Sequence, residues 1–307
     1  MAFARGLAWV LAGISGACVP AAEPAPKIIV SGASGQLGGL VVEELLGRGV
    51  APTDLILVSR TPDELASYAE MGASARFGDF TQPESLAAAY AGGAKLLIIS
   101  LNTRGNPDPR VAAERAALQK GAIEAAVAAG VEHIVYTSYV DAERNTSPIA
   151  VDHRVTEADL RASGVAWTAL RDQWYADRIV GDAQQMIADG HVVVASDERG
   201  TAYVTREDIA AAAAAVLTTP GHENRIYEIT GPELVFRSEI ARIASELTGV
   251  PIEIRSATPE EAAELPEEPP SGETLSTHFQ DLTGRSGTTA RQILEENLEQ
   301  LVAGRPR

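Results

Sequence analysis

The 307-residue sequence has little cysteine, lysine and histidine, and each shortage excludes a kind of site. Its one cysteine, Cys18, cannot form a disulfide framework, a thiolate metal site or a cysteine–histidine catalytic pair within a single chain. The five histidines are widely spread and none has the spacing of metal ligands, so no metal is predicted. Lysine occurs only at Lys27, Lys95 and Lys120, which limits the proton chemistry considered below.

Positive charge is also scarce. The 25 basic and 42 acidic residues give a formal net charge of −17. This balance argues against a surface for nucleic acid or for anionic lipid, and solubility alone accounts for it. With 45% hydrophobic and 22% charged residues the composition is globular, and the length suffices for one large domain or two modest ones.

Residues 1–26 differ in character from the rest of the chain. Arg5 precedes an apolar run from Gly6 to Val19, and small residues that suit a cleavage site follow. The run is too short for a comfortable transmembrane helix, so no stable membrane span is predicted once it is removed. We interpret residues 1–26 as a leader that favours export to the periplasm. An apolar tail or an incorrect start, on a cytoplasmic protein, is the alternative.

Short apolar strands alternate with helical segments over residues 27–175. Strands are predicted to lie at or within residues 27–31, 54–60, 74–80, 95–101, 133–139 and 165–171. Helices are predicted at residues 37–46, 61–72, 109–129 and 155–164. Alternation with short connections implies right-handed crossovers and a doubly wound parallel α/β sheet. Residues 176–307 are expected to form a smaller α/β lobe, with an acidic loop at 258–271, a terminal helix at 291–302 and some elements returning to the main sheet.

A glycine-rich loop, IIVSGASGQLGG at residues 28–39, joins the first strand to the first helix. Gly32 would permit a tight turn, Gly35 a close approach of backbone to a pyrophosphate, and Gly38 close packing of the helix. The helix N-terminus then offers free N–H groups to phosphate. A tight turn without a ligand is the alternative, but it would need one glycine rather than three. The predicted cofactor-binding residues of this loop are Gly32, Ser34, Gly35, Gln36, Leu37 and Gly38.

The end of the second strand indicates which dinucleotide is bound. An acid there would hold the ribose hydroxyls of NAD, but this strand runs out through Ser59, Arg60 and Thr61. Arg60 can form a charge-assisted pair with the 2′-phosphate of NADP, with a solvated arginine as the alternative. NADP(H) is therefore predicted in preference to NAD(H).

Several segments together resemble one known family. SGASGQLGG, VSR, GDF, LLIIS, YTS, SPIAVDHRVTEADLRASGVAWTALRDQWY and YEITG are similar to the NmrA-like atypical short-chain dehydrogenases, above all to bacterial NADPH-dependent quinone reductases and triphenylmethane reductases. The resemblance extends from Lys27 to about Leu301. It implies a Rossmann domain at 27–175, a smaller substrate lobe at 176–307 and a cleft between them.

The resemblance and the strand ends together imply the remaining contacts. The further cofactor-binding residues are Asp79 and Phe80 against adenine, Ser100 and Leu101 along the cofactor path, and Thr137 and Ser138 at the ribose or a substrate oxygen. The substrate-binding residues are Tyr139, Arg171, Trp174 and Tyr175, the last two as an aromatic wall for a flat ring. Core packing between the lobes is the alternative for that wall.

The chain lacks the usual catalytic pair of short-chain dehydrogenases, a tyrosine four residues before a lysine. Its last lysine is Lys120, and the corresponding place is held by His153 and Glu157. A quinone or a cationic dye delocalises the incoming charge, so positioning can supply most of the rate. His153 is predicted to donate a proton to the hydroquinone oxygen, or else to serve packing. Glu157, one helical turn on, would orient the imidazole or lie on a solvated face.

The predicted function is an NADPH-dependent oxidoreductase that transfers hydride to a quinone or a similar conjugated aromatic acceptor. The alternative is a redox sensor of the NmrA type that binds NAD(P) without turnover, and steady oxidation of NADPH by a quinone would separate the two. The expected partner is a small aromatic or quinone substrate and no nucleic acid, with a homodimer left open.

Overall fold

A computed structural model of the protein describes residues 27–101, 108–262, 265 and 270–303. The predicted leader at 1–26 lies outside these residues, so its role in export stays a prediction. The strands are β1 (Ile28–Ser31), β2 (Leu55–Ser59), β3 (Ser74–Phe77), β4 (Lys95–Ile98), β5 (His133–Tyr139), β6 (Ala166–Asp172), β7 (His191–Val194), β8 (Arg225–Ile229) and β9 (Glu253–Ser256). The helices are α1 (Gln36–Gly47), α2 (Ala66–Glu70), α3 (Pro83–Tyr90), α4 (Pro109–Ala128), α5 (Pro148–Ala162), α6 (Asp177–Asp189), α7 (Arg206–Thr218), α8 (Arg237–Thr248), α9 (Pro259–Ala262), α10 (His278–Thr283), α11 (Ala290–Glu296) and α12 (Leu298–Ala303).

Seven parallel strands form the main sheet, in the order β3-β2-β1-β4-β5-β6-β8. The order reverses between β1 and β4, and open α/β sheets bind ligands at such a reversal, outside the carboxyl ends of the strands. This arrangement confirms the predicted doubly wound, Rossmann-type sheet. Along β1, Ile28 and Val30 pack toward α1 and α7, whereas Ile29 packs toward α3 and α4. Both faces of the sheet are therefore covered, which explains why these strands are apolar throughout.

A second cluster of buried residues lies in the C-terminal part of the chain. It is formed by α6, α8, α11 and α12 together with β7, which pairs in parallel with β9. Two later elements belong to the main sheet instead, because β8 pairs with β6 and α7 packs against α1. No helix in the described ranges is both long and apolar enough to cross a membrane.

The local structure differs from the sequence predictions in four places. The predicted helix at 61–72 begins as a 3₁₀ turn at Pro62–Leu65 and continues as the short α2, and the Thr61 side chain does not cap it. Helix α5 begins seven residues earlier than expected, at Pro148, because Ser147 caps it. The predicted terminal helix is divided into α11 and α12. The described part of the acidic loop at 258–271 includes α9 and the start of a 3₁₀ turn at Pro270–Glu273.

Candidate cofactor and substrate site

The glycine loop turns sharply where β1 leaves the sheet. Gly32 has φ of +92°, a conformation that favours glycine, and its N–H donates to the Val58 carbonyl at 2.9 Å. Gly38 lies so close to the turn that a Cβ on it would come within 2.1 Å of the Gly32 carbonyl oxygen. The glycines at 32 and 38 thus allow α1 to begin directly above the end of the strand.

Helix α1 presents an uncapped N-terminus at this edge of the sheet. Gly35 is the N-cap residue, and no side chain accepts a hydrogen bond from the first-turn N–H groups. Ser34, Gly35 and Gln36 are exposed, whereas Leu37 is buried and anchors the helix in the core. Free N–H groups and the positive end of the helix dipole fit a phosphate group, which agrees with the predicted pyrophosphate site.

Three hydroxyl groups cluster beside Arg60. The Ser59 hydroxyl contacts that of Ser34 at 2.6 Å and that of Thr61 at 3.3 Å. Arg60 is exposed and makes no side-chain hydrogen bond or ion pair with any residue that the structure describes. One unpaired guanidinium and several hydroxyls suit a phosphate monoester, so the residues present fit the 2′-phosphate of NADP.

The other predicted cofactor contacts lie at the ends of β3, β4 and β5. Asp79 accepts a hydrogen bond from the Thr81 N–H at 2.9 Å, and Phe80 packs partly buried against the sheet core. The Thr137 hydroxyl accepts from the Ser100 N–H at 2.8 Å and donates to the Ser100 hydroxyl at 3.2 Å. Thr137 therefore fixes the chain after β4 and does not offer a free hydroxyl to ribose.

A cavity of about 550 Å³ opens where the main sheet meets the second cluster. It reaches the predicted cofactor path through Ser100 and Leu101, and it extends to the first turns of α6 and α7. Its lining residues are Ser100, Leu101, Arg115, Ser138, Tyr139, Ile149, His153, Asp172, Gln173, Trp174, Tyr175, Arg178 and Arg206. The cavity thus brings together residues from four strand ends and four helices.

His153 reaches the cavity wall, but both of its ring nitrogens are engaged within the protein. Nε2 contacts the Arg115 guanidinium, and Nδ1 lies 2.8 Å from the Tyr136 hydroxyl. Burial, and then the charge of Arg115, hold the pKa of His153 well below its usual range. Arginine can only donate, so Nε2 accepts and the single ring proton lies on Nδ1, directed at Tyr136. The imidazole has no proton to give toward the cavity, and its predicted role as proton donor is not supported.

Glu157 does not orient the imidazole, nor does it lie on a solvated face, so both sequence interpretations of it are wrong. It is fully buried, and its carboxylate accepts from Ser138 at 2.7 Å and from Arg171 at 2.8 Å through each oxygen. Burial raises the pKa of Glu157, but these hydrogen bonds outweigh burial and leave the pKa below its ordinary value. Arg171 is also paired with Glu228 at 3.1 Å and with Glu143 at 3.2 Å.

This network corrects the predicted substrate role of Arg171. The guanidinium is buried beneath the cavity wall and neutralises carboxylates from α5 and β8. Neighbouring residues on a strand point to opposite faces, so Arg171 and Asp172 cannot both face the cavity. Asp172, which the sequence analysis did not single out, is the one that lines it.

The three predicted aromatic residues do form one wall of the cavity. The Trp174 indole N–H donates to the Tyr139 hydroxyl, and the Tyr139 ring stacks on His153 with 6.0 Å between centroids. Arg178 lies over the Trp174 ring at 4.7 Å, and Arg206 lies over the Tyr175 ring at 4.5 Å. A flat ring with delocalised electrons can stack on such a surface.

Sequence reasoning also missed the arginines of the cavity. Arg178 and Arg206 occupy the first turns of α6 and α7, directly after segments that reach the sheet edge, and that position was a usable signal. Arg115 lies in the middle of α4 and had no such signal, because only the packing of α4 against α5 brings it to His153.

Residues 32–220 match the model of a protein family described as NAD(P)H-binding. The chain belongs to this family. It is 34% identical over 221 residues to quinone oxidoreductase 2 of Escherichia coli strain K12, which covers 72% of this chain and 73% of that protein. It is 30% identical over 237 residues to the NAD(P)H azoreductase of Xenophilus azovorans, covering 76% and 78%. The structure of Citrobacter sp. triphenylmethane reductase complexed with NADP(H) matches with a TM-score of 0.76 and 32% identity, covering 88% of this chain and 99% of that one.

These similarities confirm the resemblance to NmrA-like reductases and identify the family member as an NAD(P)H-dependent oxidoreductase. A bound nicotinamide supplies the hydride in this class of enzyme. The glycine loop, the α1 N-terminus and the cavity beyond Ser100 give the chain what such a cofactor needs: an anchor for its phosphates, and space beside its reactive end.

Proposed function

We propose that the protein transfers hydride from NADPH to a quinone or a similar conjugated aromatic acceptor. The observation that carries this proposal is the cavity itself. It continues from the strand ends of the cofactor path and is walled by Tyr139, Trp174 and Tyr175, with two arginines stacked behind the last two. A planar acceptor can lie against this wall beside the cofactor, where positioning supplies most of the rate.

The relatives support an acceptor of this type. Their names refer to a quinone, to azo compounds and to triphenylmethanes. These three classes share an extended π system that spreads the charge arriving with hydride. No tyrosine–lysine pair exists to protonate an isolated ketone, because the chain ends its lysines at Lys120. Both facts favour conjugated acceptors over simple carbonyl compounds.

The preference for NADPH over NADH is proposed from Arg60. Its guanidinium is exposed, next to the hydroxyls of Ser34, Ser59 and Thr61, and no acid from β2 takes the place that a ribose diol would need. A 2′-phosphate would complete this cluster with charge-assisted hydrogen bonds.

The test uses the full chain, titrated with NADPH and with NADH by nicotinamide fluorescence, followed by a simple benzoquinone in the same cuvette. The proposal predicts tighter binding of NADPH than of NADH, and continuous loss of the nicotinamide signal once quinone is added. Binding without turnover across several quinones and dyes would favour a sensor that binds the dinucleotide. Absence of binding by either nucleotide would contradict the proposed site.

A further inference from the structure

Asp172 is a buried carboxyl group on the cavity wall with no partner. Its side chain lines the cavity at the end of β6, and the residue is only 4% exposed. Neither Oδ1 nor Oδ2 has a hydrogen-bond partner within the described ranges, and no arginine of the cavity forms an ion pair with it there. The backbone around it is fixed, since the Val140 N–H donates to the Asp172 carbonyl at 3.1 Å. A buried polar group without a partner costs stability, so its position calls for a function.

The surroundings of Asp172 favour the neutral acid. Burial, and then the nearby carboxylate of Glu228, hold the pKa of Asp172 well above its ordinary value. Glu228 itself is bound to Arg171, which faces away from the cavity. The other charged or titratable groups that face the cavity are Arg115 on α4, Tyr139 on β5, His153 on α5, Tyr175 after β6, Arg178 on α6 and Arg206 on α7.

We propose that Asp172 is the proton donor to the reduced acceptor, the role that the sequence had suggested for His153. This inference rests on the proposed quinone reductase function and deepens it. Among the cavity groups, the arginines and the engaged His153 are poor sources of a proton. Asp172 alone combines an acidic hydrogen with two unoccupied oxygens inside the cavity.

The proton balance of the reaction requires such a donor. Conversion of a quinone to a hydroquinone takes one hydride, supplied by NADPH, and one proton. The O–H bond of Asp172 breaks, an O–H bond forms on the quinone oxygen where negative charge accumulates, and a carboxylate remains. Water reprotonates this carboxylate after the product leaves. A cationic triphenylmethane dye differs, because hydride alone converts the cation to its neutral leuco form without any proton.

This difference provides a test of Asp172 that does not depend on overall activity. We expect Asp172→Asn to lower kcat with benzoquinone by about 100-fold or more, the usual contribution of a general acid. Turnover of a cationic triphenylmethane dye should stay within about threefold of the wild type, because no proton is transferred. The Asn side chain keeps the size and the hydrogen-bonding capacity of Asp, so only the proton is removed.

The pH dependence supplies a second readout. With quinone, the wild-type kcat should fall as pH rises through the raised pKa of Asp172, and this limb should be absent in Asp172→Asn. Where the wild type does not reduce the dye, this limb decides the question. Asp189→Asn, an exposed carboxylate at the end of α6, is the matched control and should leave the quinone profile unchanged.

Three results would overturn the proposal. Asp172→Asn with wild-type quinone turnover would show that no proton comes from this residue. An equal loss with quinone and dye, or a loss of NADPH affinity alone, would show a structural or cofactor-binding role. A quinone-specific loss in Tyr139→Phe but not in Asp172→Asn would transfer the donor role to the tyrosine. If the wild type oxidises no NADPH with any acceptor, the proposed function fails first.

A thermal measurement shows that the variant is folded. The unfolded chain ionises Asp172 near its ordinary pKa of about 3.9, whereas the folded protein retains the proton to higher pH. Neutral pH therefore destabilises the wild type, and Asp172→Asn should have the higher Tm at pH 7. The two Tm values should converge as pH falls toward about 4.

Discussion

At the scale of single residues, the site depends on which of two neighbouring side chains faces the cavity. Arg171 and Asp172 follow each other on β6, and the sequence analysis selected the arginine for its charge. The structure buries Arg171 among three glutamates and turns Asp172 toward the cavity. The alternation along a strand is readable from sequence, but which face becomes cavity wall depends on α5 and β8, which are distant in the chain.

Arg60 carries a prediction of its own. Removal of its guanidinium in Arg60→Ala should raise the Kd for NADPH about tenfold, equivalent to about 1.4 kcal/mol, and leave the Kd for NADH nearly unchanged. The loss is specific because only NADPH has a 2′-phosphate. Fluorescence titration of both nucleotides measures it.

Arg242→Ala is the control for Arg60→Ala, because Arg242 is an arginine on α8 with its own acidic partners, Glu239 and Glu246. It should bind both nucleotides as the wild type does. If Arg60→Ala weakens NADPH and NADH equally, Arg60 does not read the 2′-phosphate.

At the scale of secondary structure elements, two junctions hold the site together. One is the contact of α1 with the glycine turn, and the other is the buried ion-pair network that joins α5, β6 and β8. The first was predictable, since three glycines after an apolar strand indicate close packing of helix and turn. The second was not, because its partners lie up to 85 residues apart in sequence, from Glu143 to Glu228.

The helix junction predicts opposite effects of two adjacent glycine substitutions. Gly38→Ala would place a Cβ 2.1 Å from the Gly32 carbonyl oxygen, so it should lower the free energy of unfolding by about 1–3 kcal/mol and weaken NADPH binding. Gly39→Ala meets nothing within 4 Å and should raise the free energy of unfolding by about 0.5–1 kcal/mol through helix propensity. Denaturant unfolding of both variants measures the difference, and equal effects would contradict this account of the loop.

The ion-pair network predicts a cost in stability that depends on pH. Glu157→Gln removes the bidentate partner of buried Arg171 and should lower the free energy of unfolding by about 3 kcal/mol at neutral pH. Because the pKa of Glu157 is lowered in the folded protein, this contribution is present at neutral pH and is lost as pH falls below about 4.

Glu124→Gln is the matched control for Glu157→Gln, since Glu124 is an exposed glutamate paired with Lys120 one helical turn away on α4. Exposed pairs of this kind contribute little, so its unfolding midpoint should stay close to that of the wild type. An equally small effect of Glu157→Gln would show that the buried network does not hold these elements together.

At the scale of the whole molecule, the sequence was sufficient for the architecture and only partly for the chemistry. The alternation of apolar strands with helices and the glycine loop predicted the sheet, its direction and its cofactor edge, because these depend on local patterns. The cavity depends on long-range packing. It takes Arg115 from α4, Asp172 from β6 and Arg206 from α7, which only the folded chain brings together. The division at residue 175 and the export of the protein stay predictions.

The central claim is that the chain as a whole is built for two-electron hydride transfer in this cavity. The most direct test mixes the NADPH-loaded protein with benzoquinone under anaerobic conditions, in a single turnover, with protium or deuterium at C4 of the nicotinamide. The account predicts one hydroquinone formed for each NADPH lost, and a slower rate with deuterium at the transferred position. Retention of all the bound NADPH in the presence of quinone would contradict it.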